Sequence, residues 1–465
     1  MKHILILTIF LFWTHLQSQE SERIQTTNID SITVRIDDYV KKNNIPAIIV
    51  AIVENGKVTY IKRGNTKRKN GLPISEKSVF QIASISKTFT AIIANTLLEQ
   101  GLLELKAPIS KYLKEDVSSE VLMKLNRITI KDLLHHRAGF PHDGKSLPPS
   151  PNGTPQKKPY TKVLLLKDLT NMKVNTKAEK RFSYSNFGYA LLGHIMEKVS
   201  GKPYATLLQE YVNQPHGLEN TTVVEKNIPL NLLAIPYATH KREIELRPWV
   251  TGTTKASGGI FSSGEDLIRI MEAQMQDYKI HQATGAISPL LLTFQKEKVS
   301  GALSYGFGMF ESRKGGKKNI LALGHGGDLD GYASFYDFYP DQDLGLIMLT
   351  SSGGKAFIDF HDQLERFLLG LPQKKEILLP KQVLKRYEGT FVFESGREIK
   401  IKLKGDKLIS TGKRIPPLQL HAQNENTFFF KEFDGWHTFE FNAKNEIIEA
   451  NYIQYGEIMK LRKIK

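Results

Sequence analysis

The chain has 465 residues, 40% hydrophobic and 9% aromatic, which suits two or more packed cores and excludes wholesale disorder. Lys and Arg outnumber Asp and Glu by 64 to 48, a net charge of +16, yet the cations are dispersed with no recognition helix or basic-aromatic stripe, so nucleic acid is not an expected partner. The absence of cysteine excludes disulfides, thiolate nucleophiles, cysteine-ligated zinc and a lipidated N-terminal cysteine.

Lys2 and His3 precede the apolar run Ile4 to Trp13, and Leu16-Gln17-Ser18 offers a small residue for cleavage. This is the layout of a signal peptide over residues 1–18, so an exported protein, periplasmic or secreted, is expected. The run is too short for an ordinary spanning helix; an uncleaved anchor is the alternative reading. No later segment is long and apolar enough to cross a bilayer.

Ala47 to Val53 reads as a continuous apolar strand, Asn55-Gly56 as a hairpin turn, and Val58 to Ile61 as the returning strand. An amphipathic helix is predicted over Ser84 to Gln100, with Phe89, Ile92, Ile93 and Leu97 on its apolar face and Gly101 as its stop. From Asp143 to Lys180 the chain is rich in Pro, Lys, Asn and Thr. Pro148, Pro149, Pro151, Pro155 and Pro159 rule out a regular element over its first half. The segment is read as a long loop, either a mobile flap near a site or a passive insertion. A second helix is predicted around Tyr189 to Val199, ending at Gly201.

Tyr332 to Tyr339 and Leu344 to Thr350 read as adjacent strands around Pro340-Asp341, and a last helix occupies Phe357 to Leu369. Strands first and last with helices between describe an α+β fold, an α/β sandwich in which both ends share one antiparallel sheet. Residues 371–381, with Pro372 and Pro380, read as a linker closing a domain over 19–370. Residues 382–465 then hold short alternating segments: Thr390 to Phe393, Ile399 to Leu403, Thr427 to Phe430, Thr438 to Phe441 and Tyr452 to Leu461. They predict a small all-β domain, a barrel or curled sheet, with Lys400, Lys402 and Lys404 on its solvent side.

Ser84-Ile85-Ser86-Lys87 puts Ser84 and Lys87 one turn apart on the same face of a helix start. A serine hydroxyl is a poor nucleophile until its proton is removed. A lysine removes it only if burial or positive surroundings lower its pKa. The helix N-terminus helps, since its positive end disfavours the ammonium and its free amides favour developing negative charge. Alone, the pattern is equally an ordinary helix cap. Ser86 competes for the role less well, because Phe89 stands three residues on.

Tyr184-Ser185-Asn186, if extended, turns Tyr184 and Asn186 to one side. A phenol beside an ammonium is held nearer its anionic form and can pass protons; an asparagine amide can donate to and accept from a substrate amide. In Gly324-His325-Gly326-Gly327-Asp328, glycines admit a substrate close to the backbone, and an exposed amide completes an oxyanion hole with that of Ser84. Singly, each has a plain structural reading: a packed loop, a glycine turn, a satisfied histidine.

Together, S-x-x-K, then Y-x-N, then a basic residue followed by glycines resemble the class C β-lactamase family, with its related esterases, D-amino-acid peptidases and D-alanyl-D-alanine carboxypeptidases. Phe80 to Ala83, Ile128 to Pro141, Phe182-Ser183 and Ala256 to Ser263 extend the likeness, which covers roughly residues 35 to 370. The resemblance implies an antiparallel sheet flanked by helices with an all-helical subdomain. It implies a Ser84 acyl-enzyme, proton transfer shared by Lys87 and Tyr184, and Asn186 orienting the substrate amide. His325, with Gly326 and Gly327, would stand where the motif's lysine binds substrate, and the amides of Ser84 and Asp328 would surround the oxyanion. Two departures stand out. A histidine at 325 weakens the expectation of a true β-lactamase, since a neutral imidazole supplies less charge. Ala178-Glu179 also replaces the usual Pro-Gly ahead of the tyrosine motif. The C-terminal segment, most typically Tyr387 to Phe391, resembles the lipocalin-like domains appended to some members.

The expected protein is therefore a cofactor-free, metal-free serine hydrolase acting on an amide or ester: a D-amino-acid peptide of cell-wall type, a small ester or a β-lactam. No G-x-S-x-G offers a nucleophile elbow. His135, His136 and His142 lack H-E-x-x-H spacing and are read as packing and turn residues rather than metal ligands. The alternative is a non-catalytic binding or sensing protein on the same fold.

Overall fold

The computed structural model describes residues 28–148, 158–172, 181–292, 295–315, 318–413, 415–431 and 433–464. The signal-peptide reading lies outside these residues, as do Ala178-Glu179 and most of the prolines of the 143–180 segment.

Helix α1 (Ile29–Asn43) is capped by Asn28 and followed by the hairpin β1 (Ala47–Glu54) and β2 (Lys57–Gly64). Asn55 and Gly56 both take positive φ, as a tight hairpin turn demands. β1 is apolar from Ala47 to Val53 because both its faces are buried there. Ala47, Ile49, Ala51 and Val53 join one core, while Ile48, Val50 and Ile52 join another.

β3 (Val79–Gln81) pairs with β4 (Phe261–Ser263) in a small separate sheet. Helices α2 (Ser86–Glu99), α3 (Ile130–Leu134), α4 (Lys162–Asn171), α5 (Asn186–Ser200) and α6 (Gly264–Thr284) build the body on the first core's side. Strands β5 (Glu297–Ser300), β6 (Leu303–Tyr305), β7 (Phe310–Lys314), β8 (Ile320–Leu329), β9 (Tyr332–Tyr339) and β10 (Leu344–Thr350) complete an antiparallel sheet. Its order is β2-β1-β10-β9-β8-β7-β6-β5, with Ile48 opposite Thr350. Helix α7 (Lys355–Leu368) packs with α1 over the second core, Phe360 stacking on Tyr39 at 4.2 Å.

The strands β11 (Gly389–Phe393), β12 (Glu398–Lys404), β13 (Lys407–Gly412), β14 (Ile415–Asn424), β15 (Thr427–Phe429), β16 (Gly435–Phe441), β17 (Ile447–Gln454) and β18 (Glu457–Lys463) close into a barrel. Tyr387, Phe391, Phe428, Phe430 and Phe439 fill it, and Lys400, Lys402 and Lys404 face solvent. The fold is thus the α+β sandwich with an all-β C-terminal barrel.

Three readings change in detail. The second half of the Pro-rich segment contains helix α4, started by Thr161, whose side chain accepts from the Leu164 amide. Tyr452 to Leu461 is two strands: Tyr455 and Gly456 take positive φ and fold it into the β17–β18 hairpin. β14 went unread because of Pro416-Pro417. The prolines fall where the β13–β14 register shifts, which is where a strand tolerates missing amides.

The stretch from 371 to 381 is docked rather than free. Leu371 is buried in the second core, the Ile377 amide bonds Ala422 O, and Glu376 pairs with His421 and Lys431. Arg366 of α7 reaches Asp434 of the barrel at 2.5 Å and lies over Trp436. The barrel therefore sits beside β7 and α7, where Gly456 approaches Arg313.

Candidate active site

The chain leaves β3 and turns through Ala83 before entering α2. Ala83 has φ +49°, a left-handed conformation that a residue with a Cβ rarely takes. Strand β8 presses on this turn. A Cβ at Gly327 would stand 2.5 Å from Ile82 O and 3.0 Å from Ala83 Cβ, and Ser334 Oγ donates to Ile82 O at 2.9 Å. Glycine at 327 thus makes room for the chain's own turn, not only for a substrate. Asp328 follows directly on this contact. Gly326 faces the Phe335 ring.

Ser84 is half-buried on the turn. Ser86 is fully buried, and its Oγ accepts from the Ile260 amide, which removes it as a competing nucleophile. Lys87, one turn on, is 0% exposed. Its Nζ lies 3.1 Å from Ser84 Oγ, 2.8 Å from Asn186 Oδ1 and 2.5 Å from Ser257 O. Burial pushes its pKa down to about 7, and the Asp143 carboxylate pulls the other way.

The tyrosine motif is stitched to the chain at 136–143. Ser185 caps α5 by accepting from the Gly188 amide and donates to Pro141 O. The Ser185 amide donates to His136 Nδ1 at 3.0 Å, so the proton of that ring is on Nε2 and goes to Tyr305 Oη at 3.1 Å. The Asn186 amide bonds His142 O at 2.7 Å. His136 holds the tyrosine loop, and burial keeps it neutral. His135 packs edge-on to Phe307, and His142 bonds Asp143; the three histidines do not converge.

Tyr184 stacks near Lys87, whose Nζ is 4.8 Å from the ring centre. Burial raises the phenol's pKa well above the ordinary value, with a hydrogen bond from Ser84 opposing it. The neighbouring lysine was expected to hold the phenol nearer its anion; burial wins, and it is the lysine that is shifted towards neutrality. His325 Nδ1 donates to Gly326 O at 2.6 Å, leaving Nε2 to face Tyr184 Oη at 3.5 Å. Burial first, then Lys87, drives its pKa down to about 3, so the imidazole is neutral.

The structure therefore brings Ser84, Lys87, Tyr184, Asn186 and His325 to one place. It adds groups not read from sequence. The Ser257 carbonyl is a main-chain atom, invisible in a motif. Asp143 accepts from Asn186 Nδ2 at 3.0 Å and stood unnoticed at the start of the Pro-rich segment. Among the described residues no cluster of His, Asp and Glu could hold a metal, and no helix is long and apolar enough to cross a membrane.

The family model described as Beta-lactamase matches residues 33–370. The chain belongs to the beta-lactamase family. It is 27% identical over 257 residues to a beta-lactamase of Pseudomonas fluorescens, covering 53% of this chain and 64% of that one, so the match spans under two thirds of this relative. It is 24% identical over 348 residues to the D-alanyl-D-alanine-carboxypeptidase/endopeptidase AmpH of Escherichia coli strain K12, covering 71% and 86%. Among solved structures, a class C beta lactamase from Rhodobacter sphaeroides superposes with a TM-score of 0.58 at 20% identity, covering 72% of this chain and 97% of that one.

Proposed function

We propose that this protein is an exported serine hydrolase that transfers an acyl group from an amide or ester to Ser84 and then to water. One observation carries the reading: Lys87, buried and with a pKa near 7, stands 3.1 Å from the Ser84 hydroxyl. Two of its three oxygen neighbours, Asn186 Oδ1 and Ser257 O, can only accept hydrogen bonds. A neutral amine gives its two N–H groups to these and is left with a lone pair for the third neighbour, Ser84. The oxygens around Lys87 thus aim its basicity at the nucleophile.

In acylation, the Ser84 proton passes to Lys87 as Oγ bonds the carbonyl carbon, and the oxyanion faces the amides of Ser84 and Asp328. As the C–N or C–O bond breaks, the Tyr184 phenol gives its proton to the leaving group and is restored from the Lys87 ammonium. Water then reverses the sequence and frees the acid. The neutral His325 supports Tyr184 and brings no cation for a substrate carboxylate. That favours esters and internal peptide bonds, as the endopeptidase half of the AmpH relative's name describes, over β-lactams and peptides cleaved before a terminal carboxylate.

Intact-mass spectrometry of the mature protein with a fluorescent penicillin, and turnover of p-nitrophenyl acetate, test this beside Ser84→Ala. Adduct and turnover in the wild type, both lost in the variant, are expected. Labelling that persists in Ser84→Ala would overturn the assignment. The same mass spectrum of protein secreted by its own host reads the N-terminus, where loss of residues 1–18 is expected.

A further inference from the structure

The acyl transfer above gives no part to one charged side chain bonded to Asn186. Asp143 Oδ1 accepts from Asn186 Nδ2 at 3.0 Å, and Oδ2 lies 2.6 Å from His142 Nδ1. Each oxygen keeps a free lone pair. The side chain is 39% exposed, and no lysine or arginine pairs with it among the described residues.

This carboxylate is held in place from both sides. Before it, His142 O takes the amides of Asn186 and Phe187. After it, the Ser146 amide and Oγ bond Asp168 at 2.8 and 2.6 Å, and Tyr160 Oη bonds the same carboxylate at 2.6 Å. Between the two lies Gly144, where a Cβ would meet Tyr160 Oη at 2.1 Å. Asp168 is buried, so the segment from 142 to 146 is clamped to the body rather than swinging over the site.

The other groups around the nucleophile carry little charge. His136 and His325 are neutral, and Lys87 is poised between its two forms. In a chain of net charge +16, the approach past Asn186 is marked by a fixed anion.

We propose that Asp143 is a specificity-determining residue that selects acyl donors bearing a cationic amine on the acyl side of the scissile bond, as in an aminoacyl ester or a peptide with a free amino group. The proposal rests on the Ser84 acyl-enzyme reading. Asn186 lies between Lys87 and Asp143, so an acyl group bound to Ser84 that runs past the Asn186 amide meets the carboxylate next. An ammonium there is attracted and a carboxylate repelled, a difference of about tenfold or more in acylation rate for groups a few ångströms apart near the surface.

Three penicillins supply the test, because their side chains differ only at one carbon: an ammonium in ampicillin, hydrogen in benzylpenicillin and a carboxylate in carbenicillin. Second-order acylation rates are read by intact mass for the wild type and for Asp143→Asn. The expected order is ammonium, hydrogen, carboxylate, spanning about tenfold at low salt, shrinking in high salt and collapsing towards unity in Asp143→Asn. The ratio is the readout, because removing the Asp143 charge also shifts Lys87 and moves all three rates together. The salt dependence in the wild type tests the charge effect without any variant. Labelling at Ser84 with rates indifferent to charge overturns this proposal alone. No labelling by any of the three overturns the acyl-enzyme reading and this proposal with it.

Discussion

Lys87 Nζ and Ser257 O approach to 2.5 Å across 170 residues of sequence, in a buried contact. A charge in that position costs stability, because burial penalises the ammonium and only three protein oxygens replace its hydration. The lysine is thus a group whose placement serves chemistry at the fold's expense.

The folded pKa of Lys87 is about 7, against 10.5 when unfolded. Below pH 7 both states are protonated and the penalty is full. Between pH 7 and 10.5 the unfolded chain binds more protons, so stability rises with pH and the penalty fades. Relative to Lys87→Met, the wild type should gain about 2 kcal/mol between pH 7 and 9. Urea unfolding of both proteins at the two pH values measures it; parallel pH curves would contradict a neutralised buried lysine.

The same titration governs activity. Acylation should rise with pH along a limb centred near 7 as Lys87 loses its proton. Asp143 pulls that pKa upward, so Asp143→Asn should move the limb to lower pH. His325, already neutral, should contribute no limb in this range. Rates of p-nitrophenyl acetate hydrolysis from pH 5 to 9 on the order of half-unit steps resolve the shift.

At 325 the site lacks a cation for substrates that carry a carboxylate next to the leaving group. Replacing His325→Lys should raise penicillin acylation relative to acetate-ester turnover by about tenfold, the worth of one favourable charge contact. A ratio that stays put would place the carboxylate elsewhere.

Gly327→Ala should cost about 1–3 kcal/mol, since its Cβ would enter the space of Ile82 O and Ala83 Cβ. It should also slow acylation, because the turn that must yield carries Ser84. Ala83→Gly relieves a left-handed alanine and should be neutral or stabilising by about 0.5–1 kcal/mol. Thermal melts and labelling rates of both variants distinguish space from strain.

Asp434→Ala should destabilise the protein by about 1–3 kcal/mol, as the buried Arg366 loses its shorter carboxylate contact and keeps only Asp362 at 3.3 Å. Adding Arg366→Ala should recover part of the loss. Amide hydrogen exchange in β15 and β16 reports whether the barrel loosens from α7.

The sequence made the site readable where the chemistry is local. Ser84 and Lys87 share a helix turn, the strands β1 and β10 announce themselves by apolar runs buried on both faces, and β9 by its aromatic residues. β5 to β7 gave no such signal, because they are short and half-buried, with Glu, Lys, Ser and Arg among their residues. α6 could have been found from Ser263, whose side chain accepts from Asp266 N, followed by Leu267, Ile270, Met271 and Met275. The reversal at Tyr184 was not legible, since sequence shows a neighbouring lysine but not how completely the phenol is buried. Asp143 was hidden by the prolines that follow it; only the fold sets it against Asn186.

The pairing of β1 with β10 has a bearing on how the molecule comes into being. Ile48 faces Thr350, and Thr350 Oγ1 donates to Ala47 O across 303 residues. On a ribosome, the first strand emerges long before its central partner exists, with an apolar edge waiting in the meantime. The nucleophile turn leans on β8, so it too cannot settle until most of the chain has been made. Such a molecule acquires its reactive centre late and all at once, and its refolding in vitro should be slow and dominated by closure of that one distant strand pair.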